Sequence, residues 1–247
     1  MGLDEALLLF AAAGLGGAIN SVAGGGTFLT FPTLMLGGLS PVQANVTSTV
    51  ALWPGSLSSA AAYRDEWKRD RAILPALILI SILGSTAGAF TLLYTPERTF
   101  AKLVPWLLLA AAMIFTFGRW VIARAHFIRH PVVARAIQLL IAFYGGYFGA
   151  GIGILMLAML QLMGFTHIHR MNALKTVLGG VINAVAVLIF VASGAVVWRA
   201  AAVMIVGAVA GGYAGAHVAR KLPPEPVRIG VSIIAFAMTG YFFLHRA

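Results

Sequence analysis

The chain has 247 residues, of which 60% are hydrophobic and 10% are charged, so a soluble globular domain is excluded as its main fold. It has no cysteine, which excludes disulfides, thiolate metal sites and cysteine catalysis. The net charge of +10 is ascribed to basic cytoplasmic loops, and not to nucleic-acid binding, because no soluble basic domain is present.

Apolar blocks separated by charge clusters and prolines follow one another along the whole chain. Residues 6–63 contain no Asp, Glu, Lys or Arg. Because about 20 apolar residues span a bilayer, this run alone holds more than one membrane element. The blocks cover 5–37, 42–62, 72–94, 101–122, 132–163, 171–193, 197–219 and 227–244. We predict an all-α, polytopic membrane protein with about 8–10 membrane segments.

The second half of the chain repeats the first at a constant offset of 127 residues. The matching pairs include Gly24 with Gly151, Gly26 with Gly153, Gly37 with Gly164, Asn45 with Asn172 and Thr49 with Thr176. We assign repeat 1 to residues 1–125 and repeat 2 to 126–247, within one integral membrane domain. A duplicated, glycine-broken hydrophobic unit is the usual ground plan of a secondary transporter.

The leading block of each repeat is too long for one ordinary membrane span. A helix of about 32 residues measures about 48 Å, whereas the hydrocarbon core is about 30 Å thick. Glycines interrupt these blocks at 24–26 and at 145–153. We therefore predict that each repeat opens with a hairpin of two short half-helices. A further set of glycines, spaced four apart, predicts close helix packing at Gly84, Gly88, Gly207, Gly211 and Gly215.

The distribution of basic residues provides an independent test of the hairpins. If both leading blocks return to the side they entered from, Lys and Arg divide 13 to 4 between the two sides. If each leading block spans once, they divide 10 to 7. The positive-inside rule favours the first case, which makes the two repeats inverted. It places both termini on the outer, periplasmic face of the cell inner membrane.

The acidic residues all fall at termini or in loops of this predicted topology. Cation-handling transporters usually keep carboxylates inside the membrane, so their absence from the apolar blocks favours an anionic substrate. It also disfavours an intramembrane enzyme that uses paired carboxylates. We predict no cofactor. Sodium and a proton both stay open as coupling ions.

Polar residues around the glycine breaks form the predicted anion site. Exposed backbone N–H groups and half-helix N-termini attract anions, and Lys175 supplies a point charge. The set in repeat 1 is Asn20, Ser21, Gly24, Gly25, Gly26, Thr27, Asn45, Ser48 and Thr49. The set in repeat 2 is Gly151, Gly153, Asn172, Lys175, Thr176 and Asn183. The alternative is that these amides and hydroxyls only join neighbouring helices, and that Lys175 extends to the headgroups.

Four stretches of the chain carry a family resemblance. Residues 16–27, then Phe31-Pro32 and 44–49, are similar to the first motif of the TauE/SafE sulfite exporter family, also called the toluene-sulfonate uptake permease family. Residues 170–175 resemble its second half. The resemblance covers essentially the whole chain, although repeat 2 has Gly151-Ile152-Gly153 in place of three glycines and Lys175 opposite Ser48.

This resemblance implies a membrane transporter of sulfur-containing anions, such as sulfite, sulfoacetate or other sulfonates. The expected partners are a small anionic substrate and the lipid bilayer, and the sequence leaves a homo-oligomer open. An anion channel or an uptake permease for another small anion is the alternative within transport. A membrane scaffold is the alternative outside it, but a scaffold does not require polar residues at duplicated glycine breaks.

Overall fold

The computed structural model describes residues 2–22, 25–62, 73–124, 131–219 and 224–245, and the regular secondary structure in these ranges is entirely α-helical. The helices are α1 Leu3–Val22, α2 Thr27–Leu36, α3 Pro41–Ala62, α4 Leu74–Tyr94, α5 Glu97–Arg124, α6 Pro131–Tyr147, α7 Ile152–Leu162, α8 Ile168–Ser193, α9 Trp198–Ala219 and α10 Pro224–Leu244. By position in the duplication, α1 to α5 correspond to α6 to α10.

Length and apolar composition qualify four described segments as membrane spans. They are Leu3–Asn20, Leu74–Tyr94, Glu97–Gly118 and Arg170–Ser193. Shorter apolar helices accompany them, at Thr27–Leu36, Val132–Tyr147, Ile152–Leu162 and Arg228–Leu244. The prediction of an all-α, multi-pass membrane protein is therefore confirmed.

Each leading block breaks into two helices at its glycines, as predicted. Gly25 in the first break and Gly149 and Gly151 in the second have positive φ angles, which L-residues with side chains rarely adopt. A Cβ atom at Gly37, just after α2, would lie 3.9 Å from the Glu5 carboxylate in the first turn of α1. The chain therefore returns along α1 to the end of the molecule where it started.

The two halves of the first hairpin differ more in length than we expected. Helix α1 has 20 residues, whereas α2 has 10 and α7 has 11. A 20-residue helix is about 30 Å long, so α1 is not a short half-helix. Glycines inside α1 do not end it, because they lie against neighbouring backbone: a Cβ atom at Gly17 would overlap Ala208.

Helices of one repeat pack mainly on helices of the other. The most extensive contacts join α1 to α9 and, at the corresponding place, α4 to α6. Helix α3 also contacts α9 as α8 contacts α4, and α2 contacts α10 as α7 contacts α5. The contact pattern is thus nearly unchanged when the two repeats are exchanged.

Glycines permit the close approach in both of the major helix pairs. A Cβ atom at Gly211 in α9 would overlap the backbone of Gly14 in α1. Between α4 and α6, a Cβ atom at Gly88 would overlap the backbone of Phe143, and one at Gly84 would lie 2.7 Å from the Leu139 carbonyl. These contacts confirm the packing role predicted for Gly84, Gly88 and Gly211, and Gly207 makes a similar contact with Phe10.

Hydrogen bonds and apolar contacts define the two ends of the bundle. At the first end, the Glu97 carboxylate accepts hydrogen bonds from Ser40 Oγ at 2.6 Å and from the Val42 amide at 3.3 Å. The Val197 amide, just after α8, donates to Thr47 Oγ1 at 3.1 Å near the same end. At the second end, Leu74 at the start of α4 packs in one cluster with Met171 at the start of α8. Helix α3 therefore begins where its counterpart α8 finishes; inversion of the repeats across the membrane stays a prediction.

Candidate functional site

The duplicated Asn and Thr residues adopt the same local arrangement in α3 and α8. Thr49 Oγ1 donates to the Asn45 carbonyl at 2.9 Å, and Thr176 Oγ1 donates to the Asn172 carbonyl at 2.7 Å. A spacing of four residues places both members of each pair on one helix face, as the sequence predicts. The hydroxyl hydrogens are used by the helix itself, so these hydroxyls have only their oxygen lone pairs left for a further contact.

The two asparagine side chains nevertheless have different surroundings. Asn45 is 1% exposed, and its Nδ2 donates to the Tyr147 carbonyl at 3.0 Å, at the end of α6. Asn172 is half-buried, and its side chain makes no hydrogen bond to the described part of the chain. Asn45 thus holds the second hairpin against α3, whereas Asn172 is available to a ligand.

Ser48 joins α3 to the first hairpin. Its hydroxyl lies 2.6 Å from Thr30 Oγ1, and Thr30 Oγ1 in turn donates to the Gly26 carbonyl at 3.2 Å. Ser48 and Thr30 are fully buried. This arrangement ties the start of α2 to the middle of α3 and gives Ser48 a structural partner that the sequence did not reveal.

The remaining predicted residues of repeat 1 lie close to the first break. Gly25 and Gly26 are buried, and Asn20 and Thr27 are half-buried. A Cβ atom at Gly26 would overlap the backbone of Gly16, so α1 and α2 are in contact there. Gly24 and the side chain of Ser21 lie outside the described residues.

Both glycine breaks contact α5 at neighbouring turns. A Cβ atom at Gly25 would lie 3.0 Å from the Phe115 ring, and one at Gly151 would lie 3.6 Å from the Ala111 carbonyl. Ala111 and Phe115 are four residues apart, which is about one turn of an α-helix. The two breaks therefore approach each other across a single turn of α5.

Lys175 lies beside the second break. Its Cδ atom would be 3.5 Å from a Cβ atom at Gly153, so the lysine stem runs over the first turn of α7. No carboxylate and no carbonyl oxygen of the described residues pairs with the ammonium group, and the Gly153 amide likewise finds no acceptor among them. Among these residues no group of three or more His, Cys, Asp or Glu is assembled either. A cation beside a free helix N-terminus provides positive potential for an anion.

Asn183 lies two turns further along α8 and is half-buried. Its side chain makes no hydrogen bond to the described residues, so its assignment to the site stays a prediction. Two residues outside the predicted set do support the site. Tyr144 Oη donates to the Ala150 carbonyl at 2.9 Å across the second break, and Thr30 Oγ1 donates to the Gly26 carbonyl at 3.2 Å beside the first. The only sequence signal for Tyr144 was a polar aromatic residue shortly before a glycine run.

Comparison with known proteins identifies relatives over nearly the whole chain. The family described as "Sulfite exporter TauE/SafE" matches residues 9–242. A "Probable membrane transporter protein" of Haemophilus influenzae is 26% identical over 97% of this chain and 95% of its own length. "Probable membrane transporter protein YfcA" of Escherichia coli K12 is 26% identical, over 94% of this chain and 87% of its own length. "Probable membrane transporter protein ORF9" of Sinorhizobium is 28% identical, over 93% and 89%.

No solved structure matches the chain. The family match therefore rests on sequence, and it agrees with the glycine motifs, the multi-pass helical fold and the duplicated Asn and Thr pairs. From these observations together, the chain is a membrane transporter that belongs to the TauE/SafE sulfite exporter family.

Proposed function

We propose that the protein is a secondary transporter that exports sulfur-containing anions, such as sulfite, sulfoacetate or other sulfonates, and that it is not an enzyme. The observation that carries the proposal is Lys175, whose stem lies over the first turn of α7 and whose ammonium group has no anionic partner in the described chain. Sulfite and sulfonate groups present several acceptor oxygens, which suit a lysine and exposed backbone amides. The family name supports the same substrate class.

The anion site lies between the two glycine breaks in this proposal. Lys175 supplies the charge, the amides around Gly153 and Gly26 supply directed donors, and Asn172 supplies an amide that is not used in packing. Asn45, Ser48 and Thr49 shape the opposite wall. Because both breaks touch the same turn of α5, a ligand held by one hairpin is also close to the other.

Transport proceeds by alternating access in this proposal, with one repeat rocking against the other. The exchange symmetry of the helix contacts and the opposite directions of α3 and α8 support inverted repeats, a common basis for such motion. The basic residues then place both termini on the periplasmic side of the inner membrane. In this proposal an ion gradient drives export of the anion, whereas an anion channel does not require such a gradient.

Flux measurements on reconstituted protein test the role of Lys175. Lys175→Met keeps the apolar stem and removes the charge, so we expect uptake of labelled sulfite or sulfonate into proteoliposomes to fall at least tenfold. Lys175→Arg keeps the charge and should retain more flux than Lys175→Met. The matched control is Lys102→Met, which removes an exposed lysine from α5 and should leave the flux unchanged.

The same measurements separate the candidate functions. Saturable flux that responds to an ion gradient supports a carrier, whereas non-saturating flux down the anion gradient favours an anion channel. Saturable import of another small anion, with none for sulfur anions, favours an uptake permease. Wild-type flux in Lys175→Met would contradict the site.

A further inference from the structure

The amide oxygen of Asn45 is a buried acceptor that receives no hydrogen bond from the part of the chain that the structure describes. The Nδ2 atom of the same amide donates to the Tyr147 carbonyl at 3.0 Å, which fixes the amide against the end of α6. Asn45 Oδ1 has no hydrogen-bond partner among the described residues, although the side chain is only 1% exposed. A buried polar atom of this kind destabilises the folded protein unless a donor or a cation satisfies it.

The end of α6 beside Asn45 also has buried carbonyl groups that accept no hydrogen bond from the described residues. The Tyr144 carbonyl accepts from both the Phe148 and the Gly149 amides, at 2.8 and 3.1 Å. As a result, the Gly145 and Gly146 carbonyls receive no donor from the described residues, and both glycines are buried. The C-terminal end of a helix also carries a partial negative charge.

The nearby hydroxyl groups do not supply the missing donors. Tyr144 Oη donates to the Ala150 carbonyl at 2.9 Å, and Thr49 Oγ1 donates to the Asn45 carbonyl at 2.9 Å. The region therefore combines an amide oxygen, carbonyls at the end of a helix and no spare hydrogen from these two hydroxyls. Because these groups are acceptors with partial negative charge, they favour a positively charged ligand.

We propose that a sodium ion binds between Asn45 Oδ1 and the C-terminal end of α6. The ligands there are neutral oxygens, which suit a monovalent ion, whereas Ca²⁺ is usually held by carboxylates. Amide and carbonyl oxygens do not titrate near neutral pH, so the site does not hold a proton in its place. Unwound carbonyls and half-helix C-termini are the groups that bind Na⁺ in other secondary transporters.

Among the described residues, this arrangement occurs once. Asn172, the counterpart of Asn45, is half-buried and makes no side-chain bond to the described residues, so the corresponding arrangement in repeat 1 is not formed. One anion site near Lys175 and one cation site near Asn45 would then share the second break. Sodium binding stands independently of the substrate, but its role as the coupling ion rests on the proposed function.

Thermal unfolding of the purified protein, without any anion substrate, tests the site. The probe is NaCl, compared with KCl and choline chloride at equal ionic strength. We expect a saturable rise in melting temperature with Na⁺ alone. Asn45→Leu should raise the Na⁺ concentration for half-maximal stabilisation at least tenfold.

Gln138 provides the matched control, because it is another buried amide with an unpartnered oxygen, bonded to Ser81 between α4 and α6 and away from a helix end. Gln138→Met should keep the wild-type Na⁺ response. If Asn45→Leu does not fold, Asn45→Asp serves instead, and its added charge should lower the half-maximal Na⁺ concentration severalfold. Equal stabilisation by all three salts would show that the effect is not specific to Na⁺ and would overturn the proposal, as would an unchanged Na⁺ response in both Asn45 variants.

A separate measurement assigns the coupling role. Flux of the sulfur anion in the wild type should require Na⁺ if the ion is coupled. Sodium binding without sodium-dependent flux would overturn the coupling role, but the proposed sodium site would still stand. Failure of the Lys175 prediction would not alter the Na⁺ response, so the two proposals fail separately.

Discussion

Two side-chain hydrogen bonds among the described residues hold the second helix break, and the duplication reproduces neither of them. Tyr144 bridges the break to the Ala150 carbonyl, and Asn45 bonds the Tyr147 carbonyl from the other repeat. The position that corresponds to Tyr144 in repeat 1 is Gly17, which has no side chain. Single residues therefore make the two breaks unequal although the backbone pattern is duplicated.

Removal of the Tyr144 hydroxyl tests this bridge. Tyr144→Phe keeps the ring and loses one buried hydrogen bond to a carbonyl, so we expect a loss of about 1 kcal/mol in stability. Thermal unfolding in detergent or nanodiscs measures the change. Tyr94→Phe is the control, because Tyr94 is 82% exposed. Equal melting temperatures for Tyr144→Phe and the wild type would argue against the bridge.

For single residues, the sequence predicted which side chains share a helix face better than it predicted their hydrogen-bond partners. The four-residue separation of Asn45 and Thr49 placed them on one helix face, and the structure agrees. The bond from Asn45 to Tyr147 spans 102 residues of sequence, so no local pattern could indicate it. Asn45 is buried whereas Asn172 is half-buried. Tertiary packing sets this difference, and the packing differs between two segments whose sequences otherwise match.

The helices themselves are held together by small residues at two corresponding interfaces. Inside a membrane, helices gain little from hydrophobic burial against each other, so close backbone contact and dispersion carry the association. Gly14 and Gly211 provide it between α1 and α9, and Gly88 and Gly146 provide it between α4 and α6. Each interface joins the two repeats.

A methyl group at one of these glycines should separate the helices. Gly211→Ala would place a Cβ atom on the Gly14 backbone, so we expect a loss of about 1–3 kcal/mol, as for other overpacked sites. Gly240→Ala in α10 is the control, because a Cβ atom there meets nothing within 4 Å. Thermal unfolding of both variants measures the difference, and a wild-type melting temperature for Gly211→Ala would contradict the packing.

The sequence indicated where the leading blocks break but not how long each part is. Glycine runs predicted both breaks, because few other residues adopt positive φ angles there. The length of α1 was missed because the break lies well past the middle of the first block, so the two parts are unequal. Gly14, Gly16 and Gly17 lie inside α1. They remain helical because α9 and α2 pack directly on them, which is information from elsewhere in the chain.

The molecule as a whole repeats its contact pattern when the two repeats are exchanged. Residues 40 and 167 occupy matching positions, one before α3 and one before α8. Contacts place them at opposite ends of the bundle, with Ser40 beside Glu97 at the first end and the start of α8 beside Leu74 at the second. If the bundle spans the membrane along this direction, the repeats are inverted.

Cysteine labelling of intact cells tests this topology. The chain has no native cysteine, so Ser40→Cys and His167→Cys each carry a single thiol. We expect a membrane-impermeant maleimide to label Ser40→Cys from the periplasm and to label His167→Cys only after lysis. Labelling of both variants from the same side would contradict inverted repeats.

The pairing of α1 with α9 has a consequence for synthesis of the protein. Gly14 is made about 200 residues before Gly211, so at about 5–20 residues per second α1 waits roughly 10–40 s for the surface it packs against. During that interval its glycine face lies against lipid or the insertion machinery. The close contact between Gly14 and Gly211 is thus among the last to form, and a ribosome that stops before α9 leaves the first hairpin without its support.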